Sequence, residues 1–294
     1  MKLKYIAMIF LLMWGLFSSC ISEDRSMCRN LHVLDLSYMG DGTTEIFSQK
    51  IGKVQMLIFD ETGQCVSRYF LNETELKYRH TLLPELSVGN YKIVCIANPY
   101  STTIVADDGL SASYFTADAH YAGQTVSTND SLYFSVVDYP IEPYSDLISE
   151  IHRTAHFKSS HYDVYVEVEG VPTSSTPSIS MVGLSPYTDF ANTAYGAVTE
   201  YQMETVHEES GLYVGKCCIM RHTDHTDVYV LVKDAQGNVL ASVSLKKFLE
   251  DHADQIDCSK NEVLIPIKLK FKSADLEVSM PDWEGTDITP GFGN

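Results

Sequence analysis

Tryptophan is scarce in this 294-residue sequence, and basic residues are far outnumbered by acidic ones. Lys and Arg number 21 against 39 Asp and Glu, for a formal net charge of −18. Such an excess of acid repels phosphate backbones and excludes nucleic acid as a partner. It suits solubility beside an anionic surface. There are two tryptophans, Trp14 and Trp283. No Cys-x-x-Cys pair occurs, so zinc and thioredoxin-type chemistry have no basis. A His-Glu-x-x-His motif, Gly-x-Ser-x-Gly, a P-loop and a dinucleotide fingerprint are missing too. No enzymatic activity, metal or cofactor is expected. After residue 17 no apolar run is long enough to span a bilayer.

What is present begins at the N-terminus. Lys2 and Lys4 precede an apolar run from Ile6 to Phe17, broken by Gly15, and the run ends in Phe17-Ser18-Ser19-Cys20. The run is shorter than the ~20 residues a spanning helix needs, so the order reads as a secretory signal with a lipoprotein cleavage site. Cleavage before Cys20 would free a cysteine to carry acyl chains. Several chains on one residue anchor a protein stably, where one chain binds reversibly. Residues 1–19 are therefore read as signal peptide and 20–30 as a lipidated leader, placing the protein on the outer membrane, facing outward. Ile21-Ser22-Glu23-Asp24-Arg25 resembles the surface-export signal of Bacteroidota lipoproteins. Arg25 and Arg29 are either solvated tether residues or sites where trypsin-like cleavage would release the protein.

With Cys20 acylated, Cys28, Cys65, Cys95, Cys217, Cys218 and Cys258 remain. Export permits disulfides, but the spacing leaves their pairing open. Cys217 and Cys218 are adjacent on an expected strand and so point to opposite faces; at most one can face the core. His152 and His156 are four apart, and His222 and His225 sit in an Asp-rich loop. A metal site needs three or four converging ligands, so these are expected to be exposed loop histidines.

The rest of the chain alternates with a period of two. Val33–Tyr38, Val54–Phe59, Cys65–Leu71, Tyr91–Ala97 and Leu132–Val137 read as strands, with a hairpin at Asp60-Glu61-Thr62-Gly63. Pro140 and Pro143 break the pattern, which puts a domain boundary between 146 and 147. Residues 147–156 are either a helical turn or the start of a strand. The alternation resumes at Tyr162–Glu169 and continues through 179–184, 212–220, 227–232, 239–245, 263–271 and 276–280. Residues 246–255 read as a helix with Phe248 and Leu249 facing inward. The whole is all-β: two sandwiches in tandem, residues 31–146 and 147–294.

Several stretches together resemble the FimB-type fimbrial anchor lipoproteins of type V fimbriae. They are Cys20 with Ser22-Glu23-Asp24-Arg25 and Cys28, the strand and hairpin from Val54 to Gly63, and Leu83-Pro84-Glu85-Leu86 through Gly89 to Val94. Ala97-Asn98, Arg153 as the opening of the second domain, and Leu276 to Trp283 complete the set. Cys95 departs from the family pattern. The resemblance implies transthyretin-like Greek-key sandwiches and a fimbrial anchor that joins fimbrial stalk subunits by strand addition. Val33–Tyr38, tied to the lipid, would then stay in its own groove. The C-terminal stretch, with Leu276, Val278, Met280 and Trp283, is the expected partner-binding strand. Alternatively it is simply the last strand of its own sandwich. Asp130-Ser131-Leu132 resembles an O-glycosylation site. The rival function is a surface glycan-binding lipoprotein, with Tyr187, Tyr195 and Tyr201 as its aromatic platform.

Overall fold

The computed structural model describes residues 30–143, 149–172, 176–272 and 275–281. Cys20, Arg25, Cys28, Arg29 and Trp283 lie outside them.

The first half is built on β1 (Leu31–Ser37), β2 (Val54–Phe59), β3 (Cys65–Phe70), β4 (His80–Leu82) and β5 (Gly89–Ala97). The expected hairpin between β2 and β3 forms. Gly63 takes φ 82°, and the Asp60 carboxylate accepts from the Thr62 and Gln64 amides. Short strands β6 (Thr102–Val105) and β7 (Tyr114–Ala117) follow, then β8 (Tyr133–Ile141), β9 (Glu150–His156) and β10 (Lys158–Ser159). One sheet runs β4-β1-β9 and the facing one β10-β8-β5-β2-β3. Leu34, Leu36, Val54, Met56, Ile58, Ile93, Cys95 and Tyr139 fill the space between them. Every residue of β2 is buried, because Leu57 and Phe59 face a second cluster with Ile104, Phe115, Phe134 and Phe190 on the sheet's outer side.

Two expectations change here. Pro140 does not stop β8, which stays paired with β5 as far as Ile141. The other edge of β8 is covered by β10 only at Tyr133 and Phe134, so no partner there needs the missing proline N–H. The residues after it form a strand, and β9 pairs in parallel with β1 from Leu31↔Glu150 to Ser37↔His156. A division at 146/147 would cut through this sheet. The first sandwich extends through β10, and Arg153 lies within it.

The second half comprises β11 (His161–Glu169), β12 (Ser178–Leu184), β13 (Tyr187–Asp189), β14 (Ala194–Tyr195), β15 (Thr199–Gln202), β16 (Glu204–His207), β17 (Tyr213–Met220), β18 (Tyr229–Lys233), β19 (Val239–Ser244), β20 (Leu264–Lys272) and β21 (Asp275–Ser279). Sheets β16-β17-β11-β20-β21 and β15-β12-β18-β19 enclose the second core, which includes Val164, Val166, Met181, Tyr201, Cys217, Val230, Phe248 and Ile267. The expected helix forms at Leu245–Asp251, capped by the Ser244 hydroxyl, with Phe248 buried and Leu249 partly so. Among the described residues of the first half are three further short α-helices, Phe47–Lys50, Glu73–Tyr78 and Asp118–Tyr121. Gly183 sits at a bulge in β12 with φ 83°, where a Cβ would strike the Asp227 carbonyl. Only glycine fits there.

A fifth sheet, β14-β13-β7-β6, takes two strands from each half. It joins them by main-chain pairing at Tyr187↔Thr116, Thr188↔Phe115 and Asp189↔Tyr114.

Candidate assembly site

Strand β1 begins at Leu31 and lies inside its sheet, not at the edge. It pairs antiparallel with β4 (Val33↔Leu82, Leu34↔Thr81, Asp35↔His80) and, as above, in parallel with β9. Leu34 is 0% and Leu36 2% exposed. Tyr139 donates its hydroxyl to the Val33 and Ile151 carbonyls, tying β8 across the ends of both strands. The groove that β1 fills is therefore closed on both sides by hydrogen bonds and below by apolar contact.

The C-terminal strand is placed differently. β21 pairs antiparallel with β20 alone (Leu269↔Val278, Phe271↔Leu276) at the edge of its own sheet. Leu276 and Met280 pack partly against the second core, and Val278 is 38% exposed. Lys272 and Glu277 form an ion pair across the hairpin. One side of β21 has no strand partner among the described residues.

Between the halves lies a polar cluster that no motif announced. The Glu262 carboxylate, beside β20, accepts from the hydroxyls of Tyr38 and Tyr133 and from Lys50 Nζ at 2.6 Å. Asp41 accepts from the Asn261 and Glu262 amides at 2.8 and 3.0 Å. Burial raises the affinity of Glu262 for a proton, but Lys50 and the Tyr38 hydroxyl outweigh it and hold its pKa below the ordinary range. Asp163 is the opposite case. Burial pushes its pKa up, against the pull of His161 and of the Cys218 thiol, which donates at 3.0 Å. A raised folded pKa means that stability is fully present below the unfolded value and falls as pH rises through the folded one. Asp163→Asn should therefore raise the melting temperature at pH 7–8 relative to the parent, with the difference closing below about pH 4. Thermal melts across pH check this.

Cys217 and Cys218 do point to opposite faces, yet both are buried. Cys217 lies in the second core, while Cys218 meets Asp163, Ser131 and the Thr128 hydroxyl from the first half. The face expected to be open is covered by that neighbouring segment. Cys65, Cys95, Cys217, Cys218 and Cys258 are all free thiols. Ser131 bonds Cys218 and is not a fully exposed modification site. His152 pairs with Asp35 at 2.9 Å on β9. His222 does lie in a loop, but it is buried and accepts from the Ser185 amide, so the expected exposure fails for it. Among the described residues no group of three or more His, Cys, Asp or Glu could hold a metal.

Of the three expected platform tyrosines, Tyr201 is 0% exposed and bonds Asn129 in the interior. Tyr187 and Tyr195 come together in the joining sheet, with Tyr114 beside them. Their rings are 71° apart for Tyr114–Tyr187 and 39° for Tyr187–Tyr195, so they offer edges and no single flat face.

The family model described as "Fimbrillin-A associated anchor proteins Mfa1 and Mfa2" matches residues 28–289. The chain belongs to this family. That bears out the resemblance to fimbrial anchors and makes the protein a fimbrial anchor subunit. The fold agrees with that of solved relatives. The fimbrial anchor protein Mfa2 from Porphyromonas gingivalis superposes with a TM-score of 0.69 at 14% identity, covering 86% of this chain and 98% of that one. A putative adhesin from Bacteroides ovatus gives 0.71 at 13% identity, covering 87% and 95%. A structure described as putative polysaccharide binding proteins, from Bacteroides thetaiotaomicron, gives 0.66 at 13%, covering 87% and 100%. No curated protein matches the chain in sequence.

Proposed function

We propose that this anchor subunit ends a fimbria at the outer membrane, held there by acyl chains on Cys20, and joins the adjacent stalk subunit by strand addition. The observation that carries the reading is the seating of β1. A strand paired on both sides, with Leu34 and Leu36 in the core, leaves no groove for a neighbour's strand. Because β1 follows the leader directly, load on the filament would pass from that strand to Cys20. A subunit whose own groove is filled can donate a strand but cannot accept one, which makes it a terminus.

The donor is the C-terminal stretch carrying Leu276, Val278, Met280 and Trp283. Its described part, β21, is held on one side only and is partly exposed, so it is the terminal strand that costs least to release. Replacing Cys20 with Ala should shed fimbriae into the medium with this protein still at their base. Fimbriae that stay on the cells would count heavily against anchoring. Deleting residues 281–294 tests the donor separately: anchors should then be found on cells without attached fimbriae, and attachment unchanged would remove residues 281–294 from the mechanism.

A further inference from the structure

The pairing registers bring one set of chain segments to a single end of the first sandwich. β1 starts there at Leu31, whose amide donates to the Ser149 carbonyl, and β9 starts beside it at Glu150. β4 runs antiparallel to β1, so the loop of residues 83–88 that follows it emerges at the same end. β5 starts from that loop at Gly89, opposite Ile141, the last residue of β8. This end carries three large apolar side chains that the described residues leave uncovered: Leu31 is 46%, Leu82 56% and Val88 63% exposed. The described residues around them (30–32, 82–90, 141–143 and 149–151) include Glu85, Glu142 and Glu150 and no Lys or Arg.

The leader leaves from the same end. Eleven residue steps separate Cys20 from Leu31, which at ~3.3–3.6 Å each spans at most ~40 Å. Within that reach of a bilayer, exposed leucine and valine side chains meet the headgroup–acyl boundary, where apolar area is removed from water. We propose that Leu31, Leu82 and Val88 form a membrane-resting foot that sits in the lipid interface beside the Cys20 anchor. The foot sets the first sandwich upright on the surface and keeps it from swinging freely on its leader. This rests on the reading of Cys20 as the lipidated residue. With three carboxylates and no Lys or Arg among those residues, the contact is apolar and not electrostatic. It should prefer neutral lipid, survive 0.5 M salt, and weaken as anionic lipid is added.

The test uses the lipidated full-length mature chain in phosphatidylcholine vesicles, with flotation to report anchoring and amide hydrogen exchange to report contact. Exchange in residues 82–89 should slow several-fold on vesicles relative to the unlipidated Cys20→Ala chain in solution. In a Leu82→Ser, Val88→Ser double variant that protection should vanish, with flotation intact and parental exchange in β2 and β11. Both sites are exposed, so the fold should tolerate the change. Exchange in 82–89 that is equal on vesicles and in solution, from protein that floats, would overturn the foot. Protection that persists in the double variant would overturn it as well. Slowed exchange in the unlipidated chain that grows with concentration would assign the patch to a second copy, and slowing only when a stalk subunit is added would assign it to that partner. Protein that fails to float would instead defeat the lipidation reading.

Discussion

Leu34→Ala combined with Leu36→Ala is expected to remove roughly 5 kcal/mol or more from the first sandwich. A buried Leu→Ala change typically costs 2–5 kcal/mol, through lost transfer energy and the cavity left behind. Both side chains belong to one cluster with Val54, Met56, Ile93 and Cys95, so the two costs will not add independently. Against a total stability on the order of 5–15 kcal/mol, the loss is enough to release β1 from between β4 and β9 under native conditions. Urea unfolding of the mature chain should show it as an early transition, with the second sandwich melting later near its parental midpoint. Leu31→Ala is the control, since Leu31 is exposed and lies at the strand's start; it should change the midpoint little. If β1 is the plug that makes this subunit a terminus, the loosened variant should also bind a synthetic peptide of residues 31–37 that the parent ignores. No binding, with the early transition present, would mean that an emptied groove does not accept a strand.

Much of this arrangement is legible wherever a strand is long and one face is buried. Tyr162, Val164, Val166 and Val168 alternate with polar neighbours, and all four lie in the second core. The run Val54–Phe59, apolar except for Gln55, announces burial on both sides, though not that Ile104, Phe115 and Phe190 provide the second cover. What escapes a local reading is pairing between distant segments. β9 belongs to the first sandwich because it finds β1 well over a hundred residues earlier, and no pattern within Glu150–His156 points to that partner. The strands that join the halves are two to four residues long, too short for a period of two to register. Tyr201 is expected on a surface platform, yet β15 turns it inward, where its hydroxyl finds Asn129. The strand β21 could be picked out from the alternation of Leu276, Val278 and Met280. Glu262 could not, because its importance lies in hydroxyls and an ammonium contributed by another domain.

That residue sets the second large expectation. Glu262→Ala should cost about 3 kcal/mol and act on the contact between the halves. The Tyr38 and Tyr133 hydroxyls are buried, at 1% and 3% residue exposure, and both donate to this one carboxylate. Removing it leaves two donors without water or acceptor, at roughly 1–3 kcal/mol for each unsatisfied buried group. Lys50 loses its ion-pair partner too, but at 29% side-chain exposure it can turn to solvent and adds little. Glu262→Gln keeps an acceptor while losing the charge, so its cost should be smaller. The two variants also separate in their pH dependence. A carboxylate held below its ordinary pKa contributes stability that is present above the unfolded value of about 4.5 and is lost as pH falls through the lower folded value. The parent should therefore weaken across that acid window by an increment that both variants lack. A Tyr38→Phe, Glu262→Ala cycle would isolate the hydroxyl's share: with the donor already gone, the second substitution should cost visibly less than it does alone. Full additivity would place the strength of the junction in the Asp41 bonds to the Asn261 and Glu262 amides and in the joining sheet, and load between the two sandwiches would then travel by main chain and not through this carboxylate.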